Sequence, residues 1–350
     1  MQRASEIDLI YNTEVNEFAS GERSRYLLQL FYEMKAQFSN WQVNHQIITT
    51  PLHRYNYISP GIKRDEHLTK HLLSMVAENK LRFSASSLNN FIYCSLKYYF
   101  NEIKKIRNPD DTEEEIDNKV FGKILHDAVS KIYAQIIDVE FDKNIAAQLR
   151  KSISTFVKAS IAQEYDKHYH GTGYTVIIEK IITEYIERII ASDLKGVTFS
   201  PHEIETEKVV VCDIGNGINV KIKGVFDRID KVYDGYRIVD YKTGGDEVKD
   251  VKKPDDLITN PNYKVNFQLF LYCWLFLKSH DKEKVNAGIY PLRRMEDGLK
   301  MLKQEQIADH SMFEELLFTL IRKILLESDF TMTTDTTRCK HCPYKDICNR

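Results

Sequence analysis

The sequence lacks an excess of charge of either sign: 49 lysines and arginines against 51 aspartates and glutamates leave a formal net charge of −2 over 350 residues. A blanket polyanion-binding surface is thereby excluded, and any nucleic-acid contact must use local basic patches. Three candidates are Lys104, Lys105 and Arg107; Lys249, Lys252 and Lys253; and Arg293 with Arg294. The opening MQRASEIDLI has no continuous apolar region ahead of a small-residue cleavage site, so no secretory signal is expected there. The most apolar run, Phe267 to Leu277, is interrupted by Gln268 and is too short to span a bilayer. A cytoplasmic protein with no membrane partner is the expectation. Six cysteines are too few for a disulfide scaffold at this length, and in a reducing compartment clustered cysteines more often hold metal. Residues 1–80 have neither a nucleotide-binding Gly-rich loop nor clustered acids, so a structural or interaction role is expected of them.

What is present is 43% hydrophobic content, enough for about two domains with proper cores. In residues 1–80 a helical stripe runs from Glu22 to Phe38 through Tyr26, Leu27, Leu30, Phe31 and Met34, a short strand is expected over Val43 to Thr50, and another helix over Asp65 to Lys80. Ser84 to Phe100 opens with capping residues and turns aromatic, with Cys94 inside it. Thr112 to Ile137 predicts a long helix, with His126 beside its apolar stripe of Phe121, Leu125, Ala128, Val129, Ile132 and Ile136. Asn144 to Tyr165 and Tyr174 to Asp193 predict two more helices, separated by a loop that holds His168 and His170. Strands follow over Glu205 to Cys212 and Ile218 to Ile229, flanking the Gly215-Asn216-Gly217 turn. Asn266 to Lys278 returns to helix, with Gln268 and Tyr272 one turn apart on one face. A short strand ends before Pro291, and Ser311 to Glu327 forms a late amphipathic helix. This order predicts an α/β, mixed α+β fold: a central mixed sheet with helical cover.

The stretch KIKGVFDRIDKVYDGYRIVDYKTGG, Lys221 to Gly245, carries the chemistry. Two apolar-rich runs flank Asp234-Gly235, the strongest short-range signal for a tight hairpin. With those two residues as the loop, Tyr233 pairs with Tyr236, Asp227 with Lys242 and Ile229 with Asp240. Partners across a ladder share a face, as do residues two apart, so Asp227, Asp240 and Lys242 all point the same way. Two acids within reach of one cation, with an ammonium beside them, suit phosphodiester hydrolysis: Mg²⁺ needs only one or two carboxylates plus substrate phosphate. A solvated hairpin with alternating charges has the same pattern, so these residues alone do not decide.

A second signal lies at the C-terminus, where RCKHCPYKDICN spaces Cys339, Cys342 and Cys348 as C-x2-C-x5-C. Three such thiols need a fourth ligand, and Cys94 or His341 could provide it. The set suits Zn²⁺ or an iron-sulfur cluster, and spacing does not separate them.

Taken in order, SASSLNNFIYC, GKILHDAV, GVFDRID, VDYKTG, QLFLY and C-x2-C-x5-C resemble the iron-sulfur RecB/AddB-type nucleases of the PD-(D/E)XK superfamily over about residues 81–350. Each motif alone is weak; six in this order are specific. The resemblance implies a restriction-endonuclease-like core with a helical insertion, acting as a Mg²⁺- or Mn²⁺-dependent deoxyribonuclease, an exonuclease in double-strand-break repair. It implies a cation held by His126, Asp227, Asp240 and the carbonyl of Tyr241, with Lys242 catalytic and Gln268 and Tyr272 lining the site. It also implies a [4Fe-4S] cluster on Cys94, Cys339, Cys342 and Cys348, DNA as substrate, and a helicase/nuclease partner in an AddAB-like complex. Residues 1–80 would be the remnant of a helicase-like region, and the chain a piece of a longer protein. Val239 stands where the superfamily name has proline, a position that carries no chemistry. The competing expectation is a catalytically weak DNA-binding or helicase-docking module with the same fold.

Overall fold

The computed structural model describes residues 7–9, 24–38, 42, 44, 46, 60–106, 118–165, 173–280, 283–303 and 310–350. The chain divides into two units, Met1–Ile58 and Ser59–Arg350. In the first, helix α1 (Arg25–Gln29), capped by Ser24, continues through a π-helical turn into α2 (Lys35–Gln37). Most of the strand expected over Val43 to Thr50 lies outside the described residues.

The second unit is built on a six-stranded mixed sheet. Strands β3 (Phe199–Asp213) and β4 (Asn219–Val232) form a long antiparallel ribbon around the turn at Gly215 to Gly217. β3 follows β4 along one side; the other side is shared by β5 (Gly235–Lys242), against residues 228–232, and by β2 (Phe83–Ser84), parallel to Ile222–Lys223. From β5 the chain crosses over through α9 (Asp256–Thr259) and α10 (Lys264–Ser279) to β6 (Val285–Pro291), which lies parallel to β5, as a crossover of this length requires. The two-residue β7 (Lys300–Met301) closes that edge.

Each face of the sheet has its own core. On one side pack α3 (Glu66–Ala77), α4 (Ala85–Tyr93), α5 (Ser95–Tyr98), α10 and α11 (His310–Arg322). On the other pack α6 (Asn118–Tyr133), α7 (Lys143–Glu164) and α8 (Tyr174–Asp193). The predicted helices are recovered in the middle third and at residues 310–322, and α3 is capped by Asp65 and sends Leu68, Leu72, Met75 and Val76 into the first core. Helix α10 is buried nearly all round, which explains its apolar run: it is the central helix of the crossover.

Alternation along β5 assigns the faces. Ile238 enters the α10 core, whereas Val239 and Tyr241 enter the α6–α8 core, so Asp240 and Lys242 lie on the α10 side. The register differs from the expected one by two residues. Val232 pairs with Gly235 and Ile229 with Ile238, making Tyr233-Asp234 the loop. The reason is Gly235, at φ +126°: a Cβ there would stand 2.2 Å from the Lys284 carbonyl oxygen, so glycine is needed where β5 meets the start of β6 rather than in the loop. A slip of two residues preserves the face, and the three charged groups stay together.

β4 itself changes face. Phe226 and Ile229 are three apart yet share the α10 core, so the strand switches at Asp227. β3 switches beside it: Ile204 packs toward the α6–α8 core and Val210 and Cys212 toward the other, with Glu205 between them at φ +48°.

Candidate active site

The two strand switches, helix α6 and helix α10 bring the site together. Asp227 Oδ2 accepts the backbone N–H of Tyr241 at 2.9 Å and lies 3.1 Å from Nδ1 of His126, which α6 presents to it. With Arg228 paired to Val239, the same register sets Asp227 across from Asp240. Asp240 is 2% exposed, with Lys242 Nζ 2.9 Å from Oδ2 and Gln268 Nε2 donating to Oδ1 at 2.9 Å. Gln268 Nε2 also lies 2.7 Å from the Tyr272 hydroxyl, so the helical i,i+4 pair expected from the sequence acts as one unit against Asp240. Tyr272 finds room because residue 224 is glycine: a Cβ there would fall 3.0 Å from its ring.

Burial and crowding set the charges. Burial disfavours ionisation of Asp227, but the His126 imidazolium and the Tyr241 N–H outweigh it and hold its carboxyl below the usual range. Burial likewise opposes charge on His126, and Asp227 more than compensates, raising it to about 9. Asp240 is pushed up to about 6, chiefly by burial, with Lys242 opposing that shift and the Asp227 charge adding to it. Lys242 is raised because Asp240 outweighs the cost of burying it. The two carboxylates are thus matched by one imidazolium and one ammonium.

Glu205 is the site residue that the sequence reading missed, having taken it only as the start of a strand. It is bracketed by the pairs Ile204–Arg228 and Thr206–Phe226, which sets it beside Asp227. Ligand atoms of His126, Glu205 and Asp227 lie within 4.8 Å of one another. Although Glu205 reaches solvent, its carboxyl is pushed up to about 7 by desolvation and then by the Asp227 charge. Only the side-by-side placement of β3 and β4 reveals it; no local motif does.

Other candidates sort by position. Cys94, Cys339, Cys342 and Cys348 line one small cavity together with the cations Lys97, Arg338 and Lys345, while His341 is exposed and is not among its lining residues. All six cysteines are free thiols. Arg293 donates to the Thr243 carbonyl at 3.1 Å and Arg294 lies 3.5 Å from Glu247, which places this basic pair against the loop that follows Lys242. Arg107, His168 and His170 lie outside the described residues. No helix among the described residues is long and apolar enough to cross a membrane.

A mixed sheet between helical layers, with two acids and a lysine converging on adjacent strands, agrees with the family to which the sequence matches. The model of the PD-(D/E)XK nuclease superfamily matches residues 82–349, and the chain belongs to that superfamily. Among curated proteins, a subunit of an ATP-dependent helicase/deoxyribonuclease from Thermoanaerobacter sp. (strain X514) is 21% identical over 347 residues, 91% of this chain and 28% of that protein. The protein of the same description from Streptococcus suis (strain 05ZYH33) is 24% identical over 177 residues, 49% of this chain and 16% of its own length. The chain thus spans well under a third of these relatives. The solved structure of SSO0001 aligns over 67% of this chain and 97% of its own at 17% identity with a TM-score of 0.30, too low for one fold to be read from the other.

Proposed function

We propose that the chain is a metal-dependent DNA nuclease module, an exonuclease that hydrolyses phosphodiester bonds in double-strand-break repair beside a helicase partner in the cytoplasm. The observation that carries this reading is the junction of Asp227, Asp240 and Lys242 on adjacent strands, Lys242 Nζ 2.9 Å from Asp240. The relatives' description as part of an ATP-dependent helicase/deoxyribonuclease supports the partner and the substrate.

Nucleases of this superfamily use divalent metals, and the donor set here fits one: the buried Asp240 carboxylate, the part-buried Asp227 carboxylate and the His126 imidazole, once it gives up its proton, are oxygen and nitrogen donors. Mg²⁺ or Mn²⁺, when bound, would polarise a phosphoryl oxygen and make a water more acidic. His126, Asp227 and Asp240 would hold it, with the Tyr241 carbonyl completing the set. Lys242 keeps its proton beside Asp240 and can offset the charge that builds on the phosphate. Gln268, tied to both Asp240 and Tyr272, fixes the orientation of that carboxylate. Arg293 and Arg294 provide positive charge for the DNA backbone next to the site.

A [4Fe-4S] cluster on Cys94, Cys339, Cys342 and Cys348 is part of the same proposal, with Zn²⁺ as the alternative. The donors fit: four free thiols share one cavity, and three cationic side chains there can offset thiolate charge. Cys348 is pushed up to about 11, first by burial and then by the other three thiols, a penalty that a bound cation would reverse.

The deciding experiment is cleavage of end-labelled single-stranded and duplex DNA with Mg²⁺ or Mn²⁺, comparing the native chain with Asp240→Ala and Lys242→Ala. Cleavage by the native chain that disappears in both variants supports the reading, and the product ladder gives its polarity. Cleavage in chelator overturns the metal dependence, and DNA binding without cleavage by native protein overturns the reading in favour of the weak DNA-binding or docking module.

A further inference from the structure

The loop that leaves the site carries a basic patch that the chemistry of the acids does not use: Lys249, Lys252 and Lys253. Residues 243–253 follow Lys242 directly and hold three acids as well, each with its own cation. Asp246 lies 2.6 Å from Lys264, Glu247 3.5 Å from Arg294 and Asp250 2.7 Å from Lys303. The next acids, Asp255 and Asp256, belong to the start of α9. Lys249, Lys252 and Lys253 are exposed and have no acid partner among the described residues, so the loop turns uncompensated positive charge to solvent. The loop is also held in one place. Val248 and Val251 pack against the α10-side core, which draws the backbone at Lys249 inward, where its N–H and C=O need partners. Asn266 of α10, 0% exposed, supplies both: its Oδ1 accepts the Lys249 N–H at 3.0 Å and its Nδ2 donates to the Lys249 carbonyl at 2.7 Å. A leucine there would be buried with no partner to find, and a carboxylate would lack the donor; the amide matches both backbone groups of one loop residue. Two residues further on, about 3 Å along the helix axis, Gln268 holds Asp240. One turn of α10 thus positions both the acid and the lysine-bearing loop.

We propose that residues 243–253 form the track along which a DNA strand passes from the acids, with Lys249, Lys252 and Lys253 on its phosphates and Asn266 as the positioning residue that keeps the track against α10. This rests on the nuclease reading and adds which surface receives the substrate beyond the scissile bond. Lysine contacts to phosphate carry no base information, so the track selects a polyanion and not a sequence. Asn266 touches neither DNA nor metal; it acts through the Lys249 backbone. The clasp matters because lysines on a loose loop lose freedom on binding that lysines on a fixed loop have already given up.

The test measures cleavage of single-stranded DNA with Mn²⁺ over a range of salt, beside anisotropy of a labelled oligonucleotide with Ca²⁺ in place of Mn²⁺. Joint replacement Lys249→Ala, Lys252→Ala and Lys253→Ala should raise KM about 10-fold in low salt. It should also make the slope of log KM against log salt shallower by about 2, since each contact to a single strand releases about 0.7 of a counterion. Melting should not change, because these side chains are exposed. Asn266→Ala should raise KM about 5-fold with kcat and Mn²⁺ affinity held. In the protein without the three lysines it should raise KM no further, whereas a merely structural loss would add. The lysine variant decides by itself should Asn266→Ala fold poorly. Native KM and native salt slope in the lysine variant overturn the track, and an additive effect of Asn266→Ala removes its positioning role. Oligonucleotide binding that weakens in the lysine variant of a protein that never cleaves DNA keeps the track and discards the nuclease reading.

Discussion

His126 shows how one residue can report the state of the site. Its pKa of about 9 stands above the ordinary 6.5 because attraction to Asp227 exceeds the cost of burial. A histidine raised in the folded state contributes stability that is complete below about 6.5 and is lost as pH climbs through about 9. Asp240 acts in the same direction at lower pH, its contribution being lost between about 3.8 and about 6. Metal-free protein should therefore melt progressively lower between pH 6.5 and 9, and His126→Gln should flatten that slope; a native profile flat across this range would refute the coupling. Gln268 gives a prediction about chemistry instead. Gln268→Ala frees Asp240 Oδ1 and the Tyr272 hydroxyl, so Mn²⁺ affinity should weaken about 10-fold or more and cleavage fall with it. Arg228, next to Asp227 in sequence, does different work on the far face. Its guanidinium is buried 2.9 Å from Asp193 and 3.0 Å from Asp230, over the Tyr133 ring. Arg228→Ala would leave buried Asp193 without its nearest cation and Asp230 with Arg237 alone, and should cost about 3–5 kcal/mol in urea denaturation.

At the scale of the element, the hairpin depends on one glycine. Gly235→Ala would drive a Cβ into the Lys284 carbonyl and should lose about 2 kcal/mol or more, read as a lower urea midpoint with cleavage retained at low temperature. The same glycine marks where the sequence could and could not be read. A tight hairpin beside the DG pair was legible, though Tyr233-Asp234 is its loop, and so was the convergence of Asp227, Asp240 and Lys242, although β4 breaks period 2 at Asp227. Register was not legible, because it is settled by the approach of β6, whose start lies some 50 residues later. The helices were legible from periodicity and caps: in the run read as capping residues, Ser84 and Ser87 form a reciprocal capping box. Glu205 was invisible for a tertiary reason. The face switch of β3 has no propensity signature, and its meaning appears only once β3 lies beside Asp227.

For the whole molecule, the question is what holds the last residues of the chain to a helix more than 200 positions earlier. The extended backbone of Cys94 separates α4 from α5, and around that break the C-terminal tail is fastened. The Tyr93 hydroxyl donates to the Arg338 carbonyl at 2.8 Å, Arg338 Nη1 donates back to the Tyr93 carbonyl at 3.3 Å, and Thr331 and Ser95 exchange hydrogen bonds. Strand β8 (Phe330–Thr331) pairs with β1 (Gly61–Ile62), so both ends of the nuclease unit meet here. These are mostly exposed or half-buried bonds, each with a net contribution of about 1 kcal/mol, and the four cysteines that line the cavity beside them are free thiols. A cluster joining Cys94 to Cys339, Cys342 and Cys348 would close a loop of about 250 residues, restricting the unfolded chain much as a long-loop disulfide does. Its removal should therefore loosen the junction without touching the acids at the far strand ends. Cys348→Ala should lose bound iron and melt about 5 °C lower or more, while Mn²⁺ binding by the surviving folded protein is unchanged. An unaltered melting curve with normal iron content would remove Cys348 from the ligand set; normal melting with iron lost would leave a cluster with no structural role.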